Sequence, residues 1–371
     1  NYGLLIMPLT SSGAISLNEM HIEVGGSSGS NCTINDADIR GLIGASSGAE
    51  MSFDDWYGAS NVTPYALNAL GYSNTTGAAF NSVERITIES AGDSADFADL
   101  SAGKYGISGS FCSTTRNIFA GGTTGSNVNV IEYFTAASSG VDASDFGDTS
   151  AACRLGGIGQ INNATVGVFN LGITSPTTVN TIEKVTMATA ADSTSFGSLT
   201  KPRHWCGNAS NATRGIFYAG DDASVGLNAD MDYSTISSGG TAGDFGDTNH
   251  ATARCSGCAS STRAVFDEGH VTNAMYSYVQ IATLGNATDF GTPYYASGQN
   301  KMSGTCSAAN ATIGLFYGGV TAGGATEEKR IAKITIGTLG NGVLWGDLAG
   351  GGTASMLYGQ ASGNGCAASA G

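Results

Sequence analysis

The chain has 371 residues with 15 basic and 30 acidic side chains, giving a net charge of -15. That balance speaks against a nucleic-acid binder, because a surface negative over most of its area repels phosphates. Gly, at 56 residues, is about twice its ordinary share, while 41% apolar residues argue against a disordered polymer.

No stretch approaches eighteen uninterrupted apolar residues, so no membrane insertion is expected. The apolar run Leu4 to Met7 has no basic residue before it and no small-residue cleavage site after it, so no secretory signal is expected either.

Residues 1–60 read as a separate small module. Ser16 is followed by Glu19, Thr33 by Asp36 and Ser52 by Asp55. A hydroxyl residue three positions before a carboxylate caps a helix by satisfying free backbone N–H groups. Three brief helical turns follow from this, separated by Gly/Ser loops. Met20, Ile22, Ile39, Ile43 and Trp56 supply a core too small to stand alone, so these residues are the candidates for docking onto a partner or another copy.

Residues 61–371 are repetitive. A Phe or Trp returns about every fifty residues, at Phe97, Phe146, Phe196, Phe245, Phe290 and Trp345, usually after Asp and before Gly. A period of this length marks one small sheet repeated, since a unit of that size cannot bury both faces alone. Each unit lays out as four segments. A small-residue strand carrying a basic residue and a Cys comes first. An apolar strand ending in small residues follows, as in Gly215 to Gly220. Next is an alternating strand such as Val130 to Thr135, and then the short aromatic segment. The expected fold is all-β: a six-bladed β-propeller whose C-terminal strand closes blade one, preceded by the small module with short helical turns.

A Gly pair, a Tyr about eleven residues on and an aromatic about thirteen further, as in Gly121-Gly122, Tyr133 and Phe146, resembles the kelch repeat of β-propellers. Trp345 holds the aromatic position in the last copy. The Gly pair becomes Leu171-Gly172, Ala219-Gly220 and Glu268-Gly269 elsewhere, and the Tyr becomes Lys184 or Lys333. That likeness implies a fold and no activity.

The segments Ile15 to Gly26, Ile34 to Gly44 and Met51 to Ser60 resemble an N-terminal module of tail-fibre and other virion proteins of tailed phages, marine ones especially. The string Asn286 to Gly291 resembles the propeller-like repeats found behind that module. This resemblance implies a virion structural protein of a tail fibre or tail appendage, assembled in the host cytoplasm and displayed on the outer surface of the particle. Its implied partners are other virion proteins through the N-terminal module and a host surface glycan. A fibre component is further expected to be trimeric or to attach to a trimer. The alternative is a capsid decoration protein, and a glycan-cleaving enzyme is more remote.

No catalytic residues, cofactor or metal ligands are assigned. Glycan hydrolysis needs two carboxylates roughly 5–10 Å apart across a groove, but Glu84, Glu132, Glu183 and Asp232 recur at one repeat position and read as structural. His21, His204, His250 and His270 fall in different segments without a nucleophile elbow. The cysteines, mostly at one repeat position, read as small buried residues, and Cys255 with Cys258 lacks a second pair for zinc.

The sharpest binding candidate is basic. Lys104, Arg154, Arg203, Arg254 and Lys301 follow the aromatic in five units, on the strand expected nearest the axis. Together they would form a positive ring for an anionic sugar, sulfate or phosphate, with Trp205 as a stacking surface. The competing reading pairs each cation with an acid on a neighbouring strand.

Overall fold

The computed structural model describes residues 9, 15–24, 32–41, 47, 50–52, 65–73, 77–136, 140–222, 224–269, 275–294, 302–321, 328–349 and 360–364. The chain divides into two compact units, Asn1–Thr63 and Pro64–Gly371.

In the first unit the helix Leu17–Glu23 opens on a full capping box: Ser16 Oγ accepts from the Glu19 N–H at 3.2 Å, and Glu19 accepts from the Ser16 N–H at 2.6 Å. The second motif works differently. Asp36 accepts from the N–H and hydroxyl of Thr33, at 2.9 and 2.7 Å, and the helix Ala37–Gly41 begins only after it. Ser52 is described, but the rest of the third motif lies outside the described residues. Met20 and Ile39 are wholly buried in the module's own core with Leu9. Those two docking candidates therefore hold the module together instead of facing a partner. Ile22 is half-buried, and Ile43 and Trp56 fall outside the described residues.

The second unit is all-β, with a propeller-like arrangement of sheets. An antiparallel run of four strands recurs along it. The first such run pairs Gln360–Asn364 with Tyr65–Ala69, then Ser82–Thr87, then Ala95–Asp99, so a strand from the C-terminal end completes the N-terminal sheet. The second joins Gly109–Cys112, Arg116–Ala120, Val128–Thr135 and Ser144–Cys153. Six fully separate sheets were the expectation, and the hydrogen bonding departs from it. Four sheets of four or five strands stand apart, while ten strands between Gly157 and Gly291 make one continuous sheet. The short strand Gly157–Gly159 causes the fusion by pairing in parallel with both Cys206–Ser210 and Ser256–Ala259. It can approach so closely because Gly stands on both sides of Ile158: a Cβ at Gly159 would lie 2.0 Å from the Asn208 carbonyl oxygen.

The recurring aromatic has a structural cause. Ile131 pairs with Gly147 and Glu132 with Asp145, leaving Phe146 as the extra residue of a β-bulge. The same shift leaves out Phe97, Phe196, Phe245, Phe290 and Trp345. A bulge bends its strand and re-aims one side chain. Here it turns the five Phe rings into the core, each at most 8% exposed. The Gly that follows lets the next unit approach: a Cβ at Gly147, Gly246 or Gly291 would stand 2.3–2.5 Å from backbone atoms of Ala191, Gly285 or Gly340.

Opposite the bulge sit Glu84, Glu132, Glu183 and Asp232, all buried. Each accepts hydrogen bonds from Ser or Thr groups, such as Ser94 to Glu84, Ser193 to Glu183 and Thr200 to Asp232. Burying a carboxylate is costly unless it is fully bonded, and the Ser/Thr-rich turns of this sequence supply those donors. Asn163, Asn211 and Asn310 likewise serve as turn formers, their Oδ1 accepting from backbone N–H groups two and three residues on.

Apolar packing lies between consecutive runs. One cluster joins Phe111 to Phe169, and another joins Ile86 and Ala66 of the first run to Leu315 and Tyr317 of the last. The first strands of the runs neighbour one another in a circuit that passes from Gln360–Asn364 through Gly109–Cys112, Gly157–Gly159, Cys206–Ser210, Ser256–Ala259 and Cys306–Ala309 back to its start.

Candidate functional site

Five of the six first strands are approached through one residue in an unusual backbone conformation, and the approach to Gln360–Asn364 lies outside the described residues. Gly106, Leu155, Trp205, Arg254 and Gly304 have φ of 60°, 57°, 56°, 60° and 72°. For the three non-glycine residues this left-handed conformation costs on the order of 1–3 kcal/mol each. The cost is offset by a chain of backbone hydrogen bonds around one mouth of the circuit. The Leu155 N–H donates to Gly106 O at 2.6 Å, Trp205 to Leu155 at 2.8 Å, Arg254 to Trp205 at 2.9 Å and Gly304 to Arg254 at 3.1 Å. Side chains overlap in the same sense. Leu155 covers the space above Gly106, where a Cβ would meet Leu155 Cδ2 at 2.5 Å, and the Arg254 guanidinium lies 4.2 Å over the Trp205 ring.

This frame sorts the basic residues. Lys104 and Arg203 sit two positions before the left-handed residue, and both are buried. Lys104 pairs with Glu132, and Arg203 pairs with Asp232 at 3.0 Å while also donating to the Asp230 carbonyl at 3.2 Å. These two are structural ties. Arg154 sits one position before its left-handed residue, and Arg254 is itself one. The four described cations therefore do not share one setting, because slips of one or two residues in the connecting loop send them to different places. Lys301 lies outside the described residues.

Arg154, Trp205 and Arg254 converge, all half-buried. Their common neighbour is His204, one of the four histidines that fall in different segments of the sequence. Its ring lies 4.6 Å from that of Trp205, and Nδ1 is 3.5 Å from the Thr178 hydroxyl. Burial first, and then the charges of Arg154 and Arg254, hold the His204 pKa below its ordinary value against the opposing pull of Asp221 on the paired strand. Arg154 Nε is closed to solvent and meets no hydrogen-bond partner among the described residues. The cluster is a positive, donor-rich spot in a chain of net charge -15.

No known family model matches the chain, and no curated protein is similar to it.

Two other features are closed to ligands. Asp267 and Glu268 are fully buried side by side. Glu268 accepts from Tyr218 Oη at 2.8 Å and meets His250 Nδ1 at 2.7 Å, while Asp267 accepts from the Thr305 hydroxyl at 3.0 Å. A cavity of about 30 Å³ between the first strands, beside Asn162 and Ser210, has room for water but not for a sugar ring. Among the described residues no His, Cys, Asp and Glu side chains group as a metal site. Arg116, Arg214 and Arg263 open their strands and reach carbonyls of the following unit, those of Met187, Ile281 and Ile336, at 2.7–3.0 Å.

Proposed function

We propose that this chain is a structural component of a tailed-phage virion, carried in a tail fibre or tail appendage, that recognises a host surface glycan without catalysis. In this reading the second unit is a closed six-bladed kelch-like propeller, and the N-terminal module docks it to other virion proteins as part of a trimeric fibre. The bulged aromatic at six equivalent places, the circuit of first strands and the shared cores between runs support the six-bladed count. The N-terminal resemblance supports the location on the particle.

The observation that carries recognition is the cluster of Arg154, Trp205 and Arg254 at the mouth of the circuit. Three non-glycine side chains, Leu155, Trp205 and Arg254, are held there in a strained conformation, and strain of this kind collects where a protein binds its ligand. A non-catalytic role agrees with the engagement of the repeat's acids in structural hydrogen bonds and ion pairs.

Antibody labelling of intact particles, read by electron microscopy, tests the proposal. Label at the tail or fibre tips is the expected result. Label spread over the head would replace this reading with that of a capsid decoration protein.

A further inference from the structure

We propose that the cavity where the first strands end, at the opposite end of the circuit from the left-handed residues, is a binding site for an ordered water held by the side-chain oxygen of Asn162. It stands apart from the surface-recognition reading.

The repeat itself makes the space. Cys112, Asn162, Ser210, Ala259 and Ala309 are equivalent, each closing the pairing onto the strand that follows it. Because that residue is Ala in two runs, a gap of about 30 Å³ remains, lined by Asn162, Ser210, Ala259 and Ala309 with Ser307 beside them. Such a volume suits one or two waters and nothing larger.

The polar part of the lining is short of donors. Asn162 is 2% exposed, and its Nδ2 donates to the carbonyls of Cys112 at 3.0 Å and Asn163 at 3.4 Å. Those two acceptors fix which end of the amide is nitrogen. The other end, Oδ1, is buried and meets no hydrogen-bond partner among the described residues. The neighbouring hydroxyls have no proton to give it. Ser210 Oγ accepts from the Asn162 N–H at 3.1 Å and donates to the Asn162 carbonyl at 3.3 Å, while Ser307 Oγ donates to the Gly257 carbonyl at 2.8 Å. What these hydroxyls still present is lone pairs.

A buried acceptor left without a donor is costly, so the guest must donate. The lining carries no charged side chain, and a metal ion would give up its hydration there without a counter-charge. Water meets the requirement, with one O–H on Asn162 Oδ1 and the other on the hydroxyl oxygen of Ser210 or Ser307. It ties the run of Asn162 to a run across the axis at a level where Gly157–Gly159 no longer fills the centre.

A high-resolution crystal structure of the full chain tests this. We expect a peak about 2.7–3.2 Å from Asn162 Oδ1, and its loss in Asn162→Ala, which places there the residue that two other runs carry. A cavity with no peak, or a peak that keeps its place in Asn162→Ala, would overturn the site. An anomalous signal from crystals soaked in rubidium chloride would replace the water with a monovalent cation. In solution, Ala309→Val should expel the water, strand the acceptor and lower the melting temperature by a few degrees, and the same change in the Asn162→Ala background should not. An equal effect in both backgrounds would also overturn the proposal.

Discussion

The backbone N–H of Asp347 donates to Oδ1 of Asp93 at 2.9 Å, joining residues 254 positions apart in the chain. The same contact links Asp99 to Asp142 and Asp148 to Asp192 between consecutive runs, so the last run grips the first as any run grips the next. Gly92 and Ser94 add backbone bonds to Trp345 and Asp347, both at 2.9 Å. Closure is thus made twice: at the periphery by these bonds, and at the axis by the pairing of Gln360–Asn364 with Tyr65–Ala69.

Double closure predicts a graded response to damage. Truncation after Leu348 removes the axial strand but keeps the peripheral grip, so the chain should still fold with a lower melting temperature. Gly346→Ala attacks the periphery, because its Cβ would stand 1.9 Å from the Gly92 carbonyl oxygen. It should cost on the order of 3 kcal/mol. The two changes combined should leave no cooperative transition in urea unfolding followed by tryptophan fluorescence.

The buried pair of Arg203 and Asp232 gives a second expectation. Arg203→Met leaves a carboxylate in the interior without its counter-charge, which should cost about 3–5 kcal/mol. The double change Arg203→Met with Asp232→Leu should recover part of that loss. Chemical denaturation of the three variants measures it.

Histidine titration gives a third. Because His204 is held below its ordinary pKa by burial and by two arginines, the unfolded chain takes up this proton at a higher pH than the folded one. Its contribution is therefore fully present above the unfolded value and is lost as pH falls from there through the folded pKa. NMR titration of the His204 ring, with chemical denaturation over the same pH range, reads both the folded pKa and the loss of stability.

Thiol reactivity gives a fourth. Burial pushes Cys153 and Cys206 up to about 11 and raises Cys258 and Cys306 further still. Reaction needs the thiolate, so at pH 8 iodoacetamide should spare these four in the folded chain and label them only across the unfolding transition. Among the described cysteines, half-buried Cys32 should react first. Mass spectrometry of labelled peptides over a urea series resolves the sites.

The repeat was legible in the sequence because the bulge demands it. An inserted aromatic followed by Gly is a costly local arrangement, so Phe146 with Gly147 and Phe245 with Gly246 stand out from their surroundings. Capping at Ser16 and Glu19 was legible for a similar reason, since both partners lie within one turn. The mouth was harder to read. Lys104 and Arg254 occupy corresponding loops, yet a slip of two residues sends one into an internal ion pair and the other onto Trp205. Nothing in residue type marks that slip. Nor does any local pattern announce a left-handed Trp205, because its conformation is set by hydrogen bonds to Leu155 and Arg254, each about fifty residues away in sequence. The fusion through Gly157–Gly159 was hidden for the same reason: small residues permit a close approach without naming the strand that approaches.

The chain of left-handed residues around the mouth accepts Gly, Leu, Trp and Arg on one backbone conformation. Every N–H and C=O that fixes the chain belongs to the main chain, so the side chains there are interchangeable tiles set in a fixed frame. A single codon change at Gly106, where the Leu155 side chain would have to give way to the new Cβ, or at Gly304 would add a new chemical letter to the rim. Such a protein could follow a changing target surface by rewriting five positions while the rest of its sequence stood still.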